Sequence, residues 1–205
     1  MKTNLLMVEG FASGINDDIK GRDEKTISHY ALPIVMKKLD IATWREVHST
    51  RLTSRRRIRE AVEKFDLSNN TMIICKSMGV VEVFDFLESD DSIDLCNQGL
   101  INKIAIVCID GHSKLWKDII RFRPPYGKRR SFNRADIPKT QKFWIKIYNV
   151  FQQEKWPEGA IFWGANYGYQ IKDEGIDHFS IIRCKTTLGV IKNACDWINS
   201  KPIQH

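Results

Sequence analysis

The sequence predicts an α/β fold: a doubly wound, mostly parallel sheet of about five to six strands with helices on both faces. Short apolar runs alternate with longer amphipathic stretches along the 205 residues, and this alternation implies parallel strands joined by helical crossovers. One run, "KIAIVCIDG" (103–111), has an unbroken apolar core, which is typical of a strand covered on both sides. The length favours a single domain, 1–205, with one sizeable core.

The first part of the chain contains three strand–helix units. The run "LLMVEGF" (5–11) is predicted to be the first strand, and it leads into a polar loop at 12–21. Apolar residues near helical spacing predict a helix over 26–39, which Pro33 must bend or delimit. A strand at 42–50, a helix at 54–65, a strand at 71–76 and a helix over about 78–88 follow.

The second part of the chain begins with the strand at 103–111, after which comes a long polar segment that contains Pro124 and Pro125. The stretch "TQKFWIKIYNVFQQE" (140–154) is interpreted as a helix, "GAIFWGA" (159–165) as a strand and "TTLGVIKNACDWIN" (186–199) as the closing helix. These assignments continue the alternation of strands and helices to the end of the sheet.

Composition excludes several classes of protein. A hydrophobic content of 42% with only six prolines argues against disorder. The chain contains no run of about eighteen apolar residues, so a membrane-spanning helix is not predicted. The beginning of the chain does not resemble a signal peptide, so a cytoplasmic location is expected by default. The five cysteines show no zinc-like spacing, so buried free thiols and no metal site are expected.

Ser77 lies where a buried strand turns into a helix, in the segment "CKSMG" (75–79). Functional groups gather at the carboxyl ends of strands in such sheets, and a tight strand–turn–helix junction raises a serine hydroxyl out of the sheet. The junction needs small residues two positions before and after the serine; Gly79 meets this demand, and Cys75 stands where glycine is usual. The alternative is an ordinary serine N-cap.

A serine hydrolase on this scaffold needs an acid and a histidine later in the chain, in that order. Asp110 directly follows a strong strand, and His178 lies in a loop before the last helix, so the order Ser77, Asp110, His178 fits. The other histidines precede the serine, nearly adjoin Asp110 or end the chain. The identity of the acid is left open, because Asp173 or Glu174 would serve if the acid followed the later strand, predicted at 159–165.

The end of the first strand supplies candidate donors for an oxyanion hole. A loop amide at Phe11 would face the nucleophile, and the amide of Met78 at the start of the following helix would be the second donor. A flexible strand-to-helix turn at Gly10 is the simpler reading of the same residues.

In these motifs the chain resembles the α/β-hydrolase superfamily, in particular small lipase- or esterase-like serine hydrolases. "LLMVEGF" is similar to the family's first oxyanion strand with Glu9 in place of histidine, and "IICKSMG" resembles its nucleophile elbow with Cys75 in place of glycine. "VCIDG" is similar to lipase-like members that carry the acid after this strand. The resemblance implies a Ser-Asp-His triad, an acyl-enzyme and no cofactor, and the short chain leaves no room for a large lid domain.

The expected partner is a small-molecule or lipid acyl substrate. A basic segment at 121–134 combines positive charge with aromatic side chains and would suit an anionic membrane surface or head group. A catalytically inactive binding protein on the same fold is the alternative, and a nucleic-acid-binding protein ranks third because no recognisable motif supports it. In the basic segment at 121–134, the candidate substrate-contacting residues are Tyr126, Lys128, Arg129 and Arg130. The oligomeric state is not predicted.

Overall fold

The computed structural model describes residues 1–10, 26–48, 54–87, 102–111, 145–152, 166–173 and 175–200. Within these ranges six strands form one sheet in the order β2-β1-β3-β4-β5-β6, and every neighbouring pair is parallel. The predicted parallel α/β sheet is therefore confirmed. The strands are β1 Thr3–Glu9, β2 Ile41–His48, β3 Asn70–Lys76, β4 Ile104–Ile109, β5 Ile145–Gln152 and β6 Tyr167–Ile171.

Four α-helices in the described ranges cover both faces of the sheet. They are α1 Ile27–Lys38, α2 Ser54–Val62, α3 Met78–Leu87 and α4 Lys185–Asn199, and a 3₁₀ helix at Ile181–Arg183 precedes α4. The helices predicted at 26–39, 54–65, 78–88 and 186–199 are confirmed to within a few residues. No helix in the described ranges combines the length and apolar character needed to cross a membrane.

Successive residues of each strand enter two separate cores. Leu5 and Met7 pack in the cluster beneath α1 and α4, whereas Leu6 and Val8 pack in the cluster beneath α2 and α3. Because side chains of a strand alternate between faces, a strand covered on both sides is apolar at nearly every position. This requirement accounts for the unbroken apolar runs of β1, β3 and β4.

The helix predicted at 140–154 is wrong. Its described residues form β5, which pairs with β4 on one side and β6 on the other. The run is buried from Ile147 onward, and backbone pairing on both sides determines its conformation. The strand predicted at 159–165 lies outside the described residues, and β6 at Tyr167–Ile171 was not predicted.

Candidate active site

The carboxyl ends of the parallel strands meet at one edge of the sheet, here called the carboxyl edge. β3 and β4 are neighbours in register, with Lys76 opposite Ile109, so the residues that follow them lie side by side. The Ser77 amide donates to the Ile109 carbonyl at 3.0 Å, and the Asp110 amide donates to the Val150 carbonyl at 2.7 Å. Strand-like hydrogen bonding therefore extends to Ser77 and Asp110 before the chain turns.

Ser77 and Asp110 both have left-handed backbone conformations. Their φ angles are 57° and 47°, and they are the only non-glycine residues with positive φ in the described part of the chain. Such a conformation costs an L-residue on the order of 1–2 kcal/mol, so it persists only where the surrounding structure enforces it. Each strand thus ends in an abrupt turn that carries a polar side chain.

Gly79 allows the first turn of α3 to lie directly against β1. A Cβ atom at this position would be 2.3 Å from the Val8 carbonyl oxygen, which is closer than real Cβ contacts. Any larger residue would push the helix, and with it the turn at Ser77, away from β1. The small residue expected two positions after the serine is therefore required by packing.

Gly10 lies against the side chain of Ser77. A Cβ atom on Gly10 would be 2.5 Å from the Ser77 Cβ and 2.9 Å from its Oγ. Gly10, the residue that follows β1, therefore lies immediately beside the Ser77 hydroxyl. Phe11, the predicted donor, lies outside the described residues, while Met78 is the first residue of α3, where amides lack an intrahelical partner.

His178 is in contact with Asp110. Its Nδ1 lies 2.7 Å from Asp110 Oδ2, and both side chains are buried. A neutral imidazole that faces a carboxylate through Nδ1 carries its proton there and its lone pair on Nε2. The two residues are 68 positions apart, so this contact joins the end of β4 to the loop before the 3₁₀ helix.

Gln152, the last residue of β5, holds the Asp110 carboxylate and was missed by sequence reasoning. Its backbone amide donates to Asp110 Oδ1 at 3.1 Å, and its side-chain Nε2 donates to Oδ2 at 3.4 Å. Gln152 is fully buried. If the segment 140–154 is taken as a strand beside β4, the polar residue at its carboxyl end indicates a partner for Asp110.

The alternative acids take other roles where the structure describes them. Asp173 is exposed and accepts a hydrogen bond from the Gly175 amide at 2.8 Å. Asp177 Oδ1 accepts from the amide and hydroxyl of Ser180, both at 2.7 Å, and this turn fixes the loop that carries His178. Glu174 lies outside the described residues.

Cys75, in place of the expected glycine, is a core residue. It is fully buried beneath α2 and α3, and its Sγ lies 4.0 Å from Sγ of Cys108, the residue opposite it on β4. Burial raises the pKa of the Cys75 thiol well above its ordinary value, and the neighbouring Cys108 raises that pKa further. The side chain is therefore a neutral thiol that packs in the core beneath α2 and α3.

Glu9, in place of the expected histidine, binds the start of α1. The side chain is buried, and its Oε1 accepts a hydrogen bond from the amide of Ile27, the first residue of the helix. A carboxylate is favoured there by the unpaired amides and by the helix dipole. Thr26, at the N-cap position, makes no side-chain capping bond, so Glu9 fills that role.

Among the described residues, no three His, Cys, Asp or Glu side chains are grouped as a metal ion would require. Four residues predicted to contact substrate lie outside the described ranges. They are Tyr126, Lys128, Arg129 and Arg130.

No model of a known protein family matches the chain, and no curated protein matches it. Among solved structures, the chain is similar to a metagenomic carboxyl esterase at 12% sequence identity and a TM-score of 0.39. The match covers 94% of this chain and 72% of that one.

Proposed function

We propose that the protein is a serine hydrolase that cleaves a carboxylic ester or a related acyl bond. The observation that carries the proposal is the buried contact between His178 and Asp110 at the same edge of the sheet as Ser77. A serine at a strained strand–helix turn, with an imidazole and a carboxylate from adjoining loops, is the arrangement that nucleophilic acyl transfer needs.

In this mechanism Ser77 Oγ attacks the carbonyl carbon of the substrate while His178 Nε2 takes the hydroxyl proton. Asp110 holds the imidazole in the required tautomer and stabilises its charged form. Amides of Phe11 and Met78 are the proposed donors to the oxyanion. His178 returns the proton to the leaving alcohol, and water deprotonated by His178 then releases the acid from Ser77. The reaction uses no metal ion or organic cofactor.

The proposed substrate is a small-molecule or lipid acyl compound. The basic segment that contains Tyr126, Lys128, Arg129 and Arg130 follows the Asp110 strand in the chain, and we propose that it contacts anionic substrates or a membrane surface. Alanine at Lys128, Arg129 and Arg130 would then reduce activity on anionic esters and vesicle binding much more than activity on a small neutral ester.

The competing interpretation is a binding protein without catalysis, and the departures from the family pattern at Glu9 and Cys75 are the residues that would support it. Glu9 binds the start of α1, and Cys75 packs in the core beneath α2 and α3. Both departures therefore have structural roles that leave Ser77, Asp110 and His178 in place, which favours the enzyme.

The proposal is tested by labelling with a serine-directed fluorophosphonate and mapping the adduct by mass spectrometry. The adduct is expected on Ser77, and Ser77→Ala is expected to lower turnover of an activated ester by roughly a thousandfold or more without loss of folding. Ser68→Ala is a matched control, because Ser68 is exposed and precedes β3 at the opposite end of the strand. An adduct elsewhere, or a fully active Ser77→Ala protein, would overturn the assignment.

A further inference from the structure

A groove of about 640 Å³ lies between α1 and α4, on the face of the sheet that these two helices cover. Five of its lining residues are basic and none is acidic: Lys37, Lys38, Arg183, Lys185 and Lys192. We propose that this groove binds an anionic amphiphile, a carboxylate that carries a hydrocarbon chain. The proposal does not depend on the activity proposed for Ser77.

The positive charge of the groove is only partly compensated by the protein. Lys38 Nζ forms an ion pair with Asp196 at 2.6 Å. The other four basic side chains form no ion pair with any residue in the described ranges, and three of them come from one short stretch, 183–192. Cations concentrated along a concave surface attract and hold an anion, so the head group of the ligand is expected to be negatively charged.

The remaining lining residues are apolar or lack a side chain. Ile34 of α1 and Leu188 of α4 are half-buried and line the groove together with Gly189. These side chains offer hydrocarbon surface directly beside the cations. A ligand that is anionic throughout would leave this surface in contact with water, whereas a hydrocarbon chain would cover it.

Gly189 supports a binding role for the groove independently of charge. It lies in the interior of α4, where glycine destabilises a helix by about 0.8–1.0 kcal/mol relative to alanine. A Cβ atom added at Gly189 would meet no atom within 4 Å outside its local helix backbone, so packing within the protein does not require glycine. A bare backbone does, however, allow a ligand to approach closely.

The size of the groove favours a small ligand over a macromolecule. Sites for small molecules typically enclose roughly 300–1,000 Å³, and this groove falls within that range. Basic side chains beside an apolar surface match a fatty-acid-like compound, in which the carboxylate meets the lysines and the chain covers Ile34 and Leu188.

The test uses decanoate as the probe, with two compounds that each lack one half of it. Decanol has the chain without the charge, and acetate has the charge without the chain. Calorimetric titration of the full chain is expected to show one decanoate site, with decanol and acetate at least about tenfold weaker. Raising the salt concentration should weaken decanoate binding, because partly exposed charges are screened.

Two groove variants and one control variant test whether decanoate binds in the groove. Lys185→Ala with Lys192→Ala is expected to weaken decanoate binding by roughly 10- to 30-fold. Lys64→Ala with Lys172→Ala removes the same charge from exposed positions outside the groove and should leave binding unchanged. Gly189→Leu should fill the groove and abolish binding while circular dichroism shows an intact fold, since leucine is a strong helix former.

Three outcomes would overturn the inference. The first is the absence of saturable decanoate binding. The second is binding that the groove variants leave intact but fluorophosphonate labelling of Ser77 removes, because the chain would then occupy the proposed catalytic site. The third is adsorption to anionic vesicles without binding of monomeric decanoate, which would make the surface a membrane contact.

Discussion

Gly10 lies so close to Ser77 that a Cβ atom built on it would be 2.5 Å from the Ser77 Cβ. The end of β1 and the turn after β3 are therefore in direct contact at the carboxyl edge. The position of the Ser77 hydroxyl depends on how closely the neighbouring strand's backbone passes, and not only on the turn that carries it.

Gly10→Ala is expected to reduce ester turnover by roughly a hundredfold, because the added methyl group must displace the Ser77 backbone, and misplacement by about 1 Å has costs of this order. Steady-state kinetics and a thermal melt measure the effect on catalysis and folding separately. Gly168→Ala is the control, since a Cβ atom there would meet nothing within 4 Å. Equal loss of activity in both variants would contradict the predicted steric cause.

Gly79→Ala is expected to lower the free energy of unfolding by about 1–3 kcal/mol, because its methyl group would collide with the Val8 carbonyl oxygen. Gly189→Ala, the same substitution in α4, is expected to raise it by up to about 1 kcal/mol, because alanine favours the helix and the site is open. Urea denaturation of the two variants checks that their changes in the free energy of unfolding have opposite signs. A stabilising Gly79→Ala would mean that α3 does not lie against β1.

Asp110→Asn is expected to reduce kcat by about 10⁴-fold, since an asparagine beside Nδ1 favours the wrong imidazole tautomer. Asp173→Asn changes the same functional group on an exposed turn and should leave kcat unchanged. Kinetics on a common ester substrate distinguish the two acids. A large loss in Asp173→Asn with activity retained in Asp110→Asn would assign the acid to the later loop.

Gln152→Ala is expected to lower kcat by roughly tenfold with little change in KM, because the carboxylate loses a side-chain donor while the backbone amide is retained. The effect should disappear in an Asp110→Asn background, since Gln152 acts through Asp110. Gln170→Ala, at an exposed position of β6, is the control and should show normal kinetics. Additive losses in the double variant would rule out this positioning role.

The sequence predicted most of the sheet because its central strands are covered on both faces. Apolar runs such as those of β3 and β4 predict buried strands, and the polar residues that follow them indicate the carboxyl edge of the sheet. Ser77 and Asp110 are predicted site residues for this reason, whereas His178 is predicted from its place in the chain order. The contact that joins Asp110 to His178, in contrast, depends on how distant loops pack, and the sequence left Asp173 and Glu174 as alternatives.

The segment that forms β5 was misread because its residues satisfy two periods at once. Ile147, Tyr148 and Phe151 fit helical spacing, yet they also fit a strand whose two faces are both buried. Asn149 and Gln152 resembled the polar side of an amphipathic helix, although both are buried in the sheet. Local pattern alone does not separate these readings, since pairing with β4 and β6 determines the outcome.

The parallel sheet also determines when the proposed active site is assembled during folding. Each parallel pair requires a crossover, so the sheet is built from contacts between segments far apart in the chain, which form slowly. The proposed site draws on the ends of β1, β3, β4 and β5 and on the loop beyond β6, and its His178–Asp110 contact spans 68 positions. Regain of the proposed hydrolysis would therefore report assembly of the sheet from β1 to β6, and during refolding it should lag behind the return of helical circular dichroism.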